Sequence, residues 1–316
     1  MKTGISVIVP VWNRANLIKR CLDSILNQSE KPEEIIVVDN NSTDKTASVV
    51  EEWINENQDS GISLKLLKEE KAGACFARQK GLENATGEYV IFFDSDDEMK
   101  STLIENVNEA LAKSPESDIV CWKCRIHLLD GGKRIPPFMA DKPLEAHLIH
   151  TLLRPQGHAV RKDFLNNAGG WKKPAKVWDD FELGLRLLLN NPKITPINKV
   201  LAEIYAQEVS ITGTDFSSKE GEWEEILWEM ERVVADRDDA NVSKVGSKKR
   251  IAKILDYRKA ILAAHYYRER NKASSKKLMK EVLKDKSIYQ SLVLRFSYYY
   301  TRSGFRGAWR IVSWFI

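Results

Sequence analysis

The sequence predicts an α/β fold with a mostly parallel central sheet, followed by a helical C-terminal region. Three observations lead there. Short apolar runs alternate with amphipathic helical patterns between residues 5 and 93. These runs are apolar throughout, which suits strands covered by helices on both faces. Beyond residue 215 only helical periodicity remains.

The elements follow in order. "GISVIVPVW" reads as a buried strand broken by Pro10. "ANLIKRCLDSILNQ" sets Leu17, Ile18, Cys21, Leu22, Ile25 and Leu26 at helical spacing. "EEIIVVDN" is a second strand ending at Asp39, and "NNSTDKTASVVEEWINEN" is a polar turn leading into a second helix. "ISLKLLKE" and "GACFARQKGLENA" supply the third strand and helix, and "EYVIFF" the fourth strand. Such alternation implies right-handed crossovers and parallel strands. Ligands then bind beyond the carboxyl ends of the strands. Pro10-Val11-Trp12-Asn13, Asp39 and the acidic run after "EYVIFF" all sit at such ends.

Three regions are expected: a sheet domain over 1–215, a helical accessory region over 216–290 and a cationic, aromatic tail over 291–316. The first boundary falls in "SITGTDFSSKEG", where Gly, Ser and Thr cluster. The accessory region reads as the helices "GEWEEILWEMERVVAD", "KKRIAKILDYRKAILAAHYYRER" and "NKASSKKLMKEVLKD".

Composition is that of a soluble globular protein, with 43% hydrophobic and 30% charged residues in 316. A net charge of +4 does not point to nucleic acid. Cys121 and Cys124 form a lone C-x-x-C without a second ligand pair for zinc, so they read as buried thiols in a strand. With no disulfide framework, signal-type N-terminus or spanning apolar run, a cytoplasmic active part is expected. The first strand is followed by Pro-Val-Trp-Asn-Arg rather than G-x-G-x-x-G, which argues against a dinucleotide-dependent dehydrogenase. A nucleotidyltransferase would carry a Gly-rich basic loop there, and a non-catalytic sugar-nucleotide-binding protein would need no base.

The fourth strand runs into "DSDDEM", which puts Asp94, Asp96 and Asp97 within four positions. Clustered carboxylates suit a hard divalent cation, and in Asp-x-Asp two of them share one side of an extended segment. Mg²⁺ or Mn²⁺ held this way keeps waters and binds substrate phosphates. Alone, D-x-D is as well explained by a solvated acidic turn; the apolar strand before it and Asp39 at a neighbouring strand end favour a site.

Three segments together resemble family 2 glycosyltransferases of the GT-A fold: "SVIVPVWNRANLIKRCLDSILNQSEKPEEIIVVDNNSTDKT", "KAGACFARQKGLENATGEYVIFFDSDDEM" and "VWDDFELGLRLL". The resemblance spans roughly the first 210 residues. It implies an inverting, metal-dependent transfer of a sugar from a nucleotide-sugar to an acceptor hydroxyl. Pro10, Val11, Trp12 and Asp39 then match the base pocket, with Asp39 accepting from uracil, which favours a UDP-sugar. Arg78 matches an arginine near the diphosphate. Asp94 and Asp96 match the D-x-D, with Asp96 as the direct Mn²⁺ or Mg²⁺ ligand, and Asp97 orients ribose or donor sugar. Asp180 matches the general base, and Asp179 stands where Glu is usual. His158 and Trp171 fall on the acceptor side. The basic run often found after this helix is replaced by Ala206, Gln207 and Glu208, so a further diphosphate contact is sought in Lys199 or His265.

Plainer readings compete at each position. Asp39 could cap the following helix, and Asp179 and Asp180 could complement a helix N-terminus. Arg78 could be a solvated helix residue, Trp171 and Trp178 core residues, and His158 an ordinary loop histidine. The tail places Arg302, Arg306 and Arg310 at four-residue spacing beside Phe305, Trp309, Val312, Trp314, Phe315 and Ile316. A cationic stripe beside aromatics suits a helix lying on an anionic membrane surface, here the inner face of the plasma membrane. That would bring the site to a lipid-linked glycan acceptor in cell-surface polysaccharide or glycolipid assembly. A terminal helix docked on the catalytic domain is the alternative.

Overall fold

The computed structural model describes residues 3–171, 177–207, 215–237 and 247–313. Every element of the predicted alternation is present: β1 (Ile5–Val11), α1 (Ile18–Leu26), β2 (Glu34–Asp39), α2 (Thr46–Glu56), β3 (Ser63–Lys68), α3 (Ala74–Asn84) and β4 (Tyr89–Phe92). The four strands run parallel in the order β3-β2-β1-β4. In register, Val7 faces Ile35 and Ile91, and Val11 faces Asp39. The carboxyl ends of β1, β2 and β4 therefore share one edge.

The chain continues through β5 (Glu98–Met99), α4 (Leu103–Lys113), β6 (Ile119–His127), β7 (Lys133–Arg134), α5 (Pro143–His150), β8 (His158–Arg161), α6 (Lys162–Asn167), α7 (Asp179–Leu189) and β9 (Ile194–Tyr205). These strands extend the sheet as β4-β8-β6-β9-β5, with β7 on β6. Strand β8 is antiparallel to both β4 and β6, so this half is mixed. His158, read as a loop histidine, is the first residue of β8 and is buried. Cys121 and Cys124 are free, buried thiols in β6, as expected.

Successive strand residues face opposite sides of a sheet. Val7, Val9 and Val11 pack with Leu22 and Ile25 of α1, Trp53 of α2 and Val107 of α4. Ile8, Ile36, Val38 and Phe92 face the other layer, with Leu82 of α3 and Leu183 of α7. At Gly81 a Cβ would lie 2.3 Å from Ile8 Cγ2, so α3 approaches β1 closely only because glycine stands there. That approach carries Arg78, one turn earlier, to the edge where the strands end.

The C-terminal region forms α8 (Glu222–Ala235), α9 (Lys248–Arg268), α10 (Lys272–Val282), α11 (Ile288–Arg302) and α12 (Ala308–Val312). Leu227, Tyr266, Leu278, Leu294 and Trp309 belong to the same buried cluster as Phe92 and Leu183. The expected boundary near 215 is thus a change of secondary structure across which the core is continuous. The expected arginine stripe is corrected. Gly304 (φ +90°) and Gly307 (φ +87°) turn the chain, so Arg302 ends α11, Arg306 lies in the turn and Arg310 in α12. Trp309 and Val312 are core residues, whereas Phe305 is exposed. Helix α11 buries Leu294 and Tyr298 and exposes Ile288, Leu292, Phe296 and Tyr299, one face at i, i+4, i+8 and i+11. Trp314, Phe315 and Ile316 lie outside the described residues. No helix among the described residues is long and apolar enough to cross a membrane.

Candidate active site

The ends of β1 and β2 form the first wall. Pro10 and Val11 are buried within β1, and Trp12, just past its end, is 53% exposed. Asp39 is buried opposite Val11, and its carboxylate accepts weakly from the Ser42 amide at 3.3 and 3.4 Å. Asn40 does the firmer work of shaping this rim. Its amide donates to the Glu69 and Lys71 carbonyls at 3.1 and 2.7 Å and accepts from the Gly73 amide at 2.7 Å. The capping reading of Asp39 is therefore only partly realised.

The second wall is the acidic run after β4. Gln156, which the sequence reading does not single out, donates from its amide nitrogen to Asp94 and to Asp97, each at 2.6 Å. The Tyr205 amide donates to the other Asp97 oxygen at 2.8 Å. Asp97 is thereby fixed from β9 and from the turn before β8. Its carboxyl is pushed well up by burial and then by Asp96 and Asp94. Asp96 is also raised, by burial and by Asp94, while Arg14 at 3.5 Å opposes. Arg14 and Gln156 carry no periodic or motif signal, which is why they escape a reading of sequence alone.

Arg78 joins this wall to α7. It donates to Asp94 at 2.8 Å and to Asp179 at 2.6 Å, and its guanidinium lies 4.8 Å from the Trp171 ring. Burial works against its charge, yet Asp179 and Asp94 more than offset this and raise its pKa. Arg78 is buried, not a solvated helix residue. Trp171 is buried beneath it, edge-on to Phe92 at 5.1 Å. His158 is buried as well, its Nδ1 2.9 Å from the Arg154 carbonyl. Neither proposed acceptor contact presents an open ring face.

Asp179 and Asp180 open α7, preceded by Trp178 in a left-handed conformation (φ +50°). A bulky residue there stores backbone strain, a feature that clusters at functional sites. Gly184, one turn further, leaves room for the His147 ring of α5, whose Nε2 is 2.8 Å from the Phe181 carbonyl. The two carboxylates differ in surroundings. Asp179 is raised by burial, but Arg78 pairs with it directly. Asp180 has no side-chain partner among the described residues, and burial followed by the charge of Asp179 pushes it up to about 7. A carboxylate near neutrality and free of partners is suited to take a proton.

Lys199 donates to Asn106 of α4 at 2.7 Å and is occupied there. The His265 ring lies 4.6 Å from the Phe216 ring, next to Trp178, and is held down to about 4 by burial and by Arg268, Arg258 and Arg306. Gln207 donates to the Tyr205 carbonyl at 3.2 Å, and Glu208 falls outside the described residues. Among the described residues no three His, Cys, Asp or Glu side chains form a complete metal cage. The donor set still fits a cation shared with substrate phosphates. Both Asp94 oxygens already accept hydrogen bonds, whereas among the described residues Asp96 has a single, longer ion pair.

Residues 6–157 match the family model described as glycosyl transferase family 2. The cholesterol galactosyltransferase of Borreliella burgdorferi is 34% identical over 171 residues, 52% of this chain and 46% of that protein. The GalNAc(5)-diNAcBac-PP-undecaprenol beta-1,3-glucosyltransferase of Campylobacter jejuni is 42% identical over 112 residues, 34% of this chain and 36% of that one. The chain thus spans less than half the length of either relative. Among solved structures, S. aureus TarS in complex with UDP-GlcNAc superposes with a TM-score of 0.69 at 18% identity, over 95% of this chain and 92% of that one. The mannosyltransferase PcManGT from Pyrobaculum calidifontis, in complex with GDP-Man and Mn²⁺, gives 0.62 at 18% identity, over 99% and 84%. These likenesses show the GT-A fold. Residues 6–157, just under half of the chain, thus carry the likeness to glycosyl transferase family 2.

Proposed function

We propose that the protein transfers a sugar from a nucleotide-sugar, a UDP-sugar by the Asp39 reading, to an acceptor hydroxyl with inversion at the anomeric carbon. The observation that carries this is the division between two adjacent carboxylates: Asp179 is bound by Arg78, and Asp180, with a pKa near 7, has no side-chain partner among the described residues. Asp180 is the general base that removes the acceptor proton as the hydroxyl attacks. One base without a covalent nucleophile gives a single displacement. Arg78 keeps Asp94 and Asp179 at fixed separation and adds positive charge beside the diphosphate. Pro10 to Trp12 and Asp39 hold the base, and Asp97 orients ribose or donor sugar.

Asp96, backed by Asp94, is the residue that would hold Mn²⁺ or Mg²⁺, and the cation would offset charge developing on the leaving diphosphate. The names of the two curated relatives support an acceptor in glycolipid or lipid-linked glycan assembly. The exposed apolar face of α11, flanked by Arg295 and Arg302, supports contact with an anionic membrane surface at the inner face of the plasma membrane. The test is a screen of UDP- and GDP-sugars for hydrolysis with Mn²⁺ and with EDTA. Hydrolysis of none, or hydrolysis unaffected by EDTA, overturns the reading.

A further inference from the structure

Arg258, in the middle of α9, is a cation beside the active site without a carboxylate partner among the described residues. Its guanidinium carbon lies 4.9 Å from the Trp178 ring centre and 5.1 Å from that of Phe181. Those rings flank Asp179 and Asp180 in sequence and stand 5.6 Å apart. The helical region thus delivers a guanidinium to the first turn of α7. Arg258 Nε is buried without a hydrogen-bond partner among the described residues. Three carboxylates of this region are already paired, and Asp180 is not among the groups acting on Arg258. Asp179 pairs with Arg78 at 2.6 Å, Glu182 with Arg186 at 2.6 Å and Glu145 with Arg250 at 2.8 Å.

The surroundings add positive charge. Arg154, which acts on Asp180, donates to the His150 carbonyl at 2.6 Å. Arg154, Arg258 and Arg310 together disfavour protonation of His150, after burial. Burial also lowers the pKa of Arg258 itself, with no carboxylate among the groups acting on it. A buried guanidinium normally has its charge paired and its donors used. The two rings cover part of the group, and on its N–H edge the Nε–H has no partner among the described residues. That edge is a fork matched to two phosphate oxygens.

We propose that Arg258, assisted by Arg154, binds a phosphate group of a substrate beside Asp180. The inference rests on the transferase reading for the identity of the substrates. The phosphate belongs either to the donor diphosphate or to a phosphate-bearing acceptor, and the two sources separate experimentally.

Calorimetric titration of the full chain tests it, with wild type, R258Q, R258K and R154Q. The ligands are UDP, uridine, and inorganic phosphate added to protein with and without saturating UDP and Mg²⁺. A loss of about tenfold or more in UDP affinity in R258Q, with uridine unchanged, places the donor diphosphate on Arg258. The same loss for phosphate on the UDP-saturated protein, with UDP affinity unchanged, places an acceptor phosphate there. R258K keeps the charge without the fork, and R154Q removes the assisting cation. Both should show partial losses, so the proposal stays testable if R258Q does not fold. Equal affinities for UDP and phosphate in wild type and the variants overturn it, as does a wild type that binds no phosphate while UDP affinity is unchanged by the variants. A wild type that binds phosphate through Arg258 but neither UDP nor GDP sinks the transferase reading and leaves this site standing.

Discussion

Asp94 and Asp179 are held by one guanidinium: Arg78 donates to the first at 2.8 Å and to the second at 2.6 Å. A carboxylate from the parallel half of the sheet and one from the start of α7 therefore keep a fixed spacing. Replacing Arg78 by Met should cost about 3 kcal/mol, at the low end for a broken buried pair because Asp94 keeps 31% of its side-chain exposure. Turnover should fall further than stability accounts for, since the carboxylates then repel. Denaturant titration beside kcat checks both. A variant with normal kcat would show that the spacing is irrelevant to reaction.

Asp180→Asn should lower kcat by at least about a hundredfold with donor affinity nearly intact, as expected for a base that acts on the acceptor proton. Wild-type turnover should rise with pH through an apparent pKa near 7, the value to which burial and Asp179 bring Asp180. Asp179→Asn should instead weaken the Arg78 bridge. Steady-state kinetics across pH 5 to 9 would expose a reversed assignment, in which Asp179→Asn alone abolishes the pH dependence.

The same carboxyl predicts a stability trend. Its folded pKa, about 7, lies above the unfolded value near 3.8. Between these values the folded protein holds a proton that the unfolded chain has lost, so the Asp180 contribution declines as pH rises from about 4 to about 7. Asp180→Asn should therefore raise Tm at pH 8 and leave it almost unchanged at pH 4. Thermal unfolding at the two pH values checks the sign.

Asp96→Ala should abolish transfer and remove the protection that Mn²⁺ plus UDP gives against thermal unfolding. Asp94→Asn should lower activity and also loosen the bonds from Arg78 and Gln156. If Asp96→Ala is still stabilised by Mn²⁺ plus UDP as wild type is, Asp96 does not hold the cation.

Deleting residues 291–316 is a poor test of membrane contact, because Leu294, Tyr298, Trp309 and Val312 are buried. Leu292→Glu with Phe296→Glu alters only the exposed face of α11. The pair should abolish sedimentation with anionic vesicles and leave nucleotide-sugar hydrolysis unchanged. Undiminished sedimentation would show that another surface is used.

The parallel half of the fold was legible because β1, β2 and β4 are mostly apolar, fully buried runs with acidic or proline-containing positions at or just beyond their ends. Strands β5 and β7 have two residues each, and β9 alternates burial irregularly, so neither length nor periodicity marks them. The acidic run and the α7 carboxylates were visible as charge in places where an apolar pattern stops. Gln156 and Arg258 were not, because nothing local distinguishes an amide or arginine that matters only for what it meets across the fold. Trp171 shows the opposite limit: the family resemblance set it on the acceptor side, and it lies buried under Arg78.

The bonds from Gln156 and the Tyr205 amide to Asp97 also impose an order on synthesis. A nascent chain exposes the acidic run well before the ribosome delivers Gln156, and Tyr205 comes later still. Until both arrive, Asp97 lacks the bonds that fix it, even where Arg14 and Arg78 already reach Asp96 and Asp94. The acidic run at the end of β4 thus reaches its final geometry only after the mixed half of the sheet has been made.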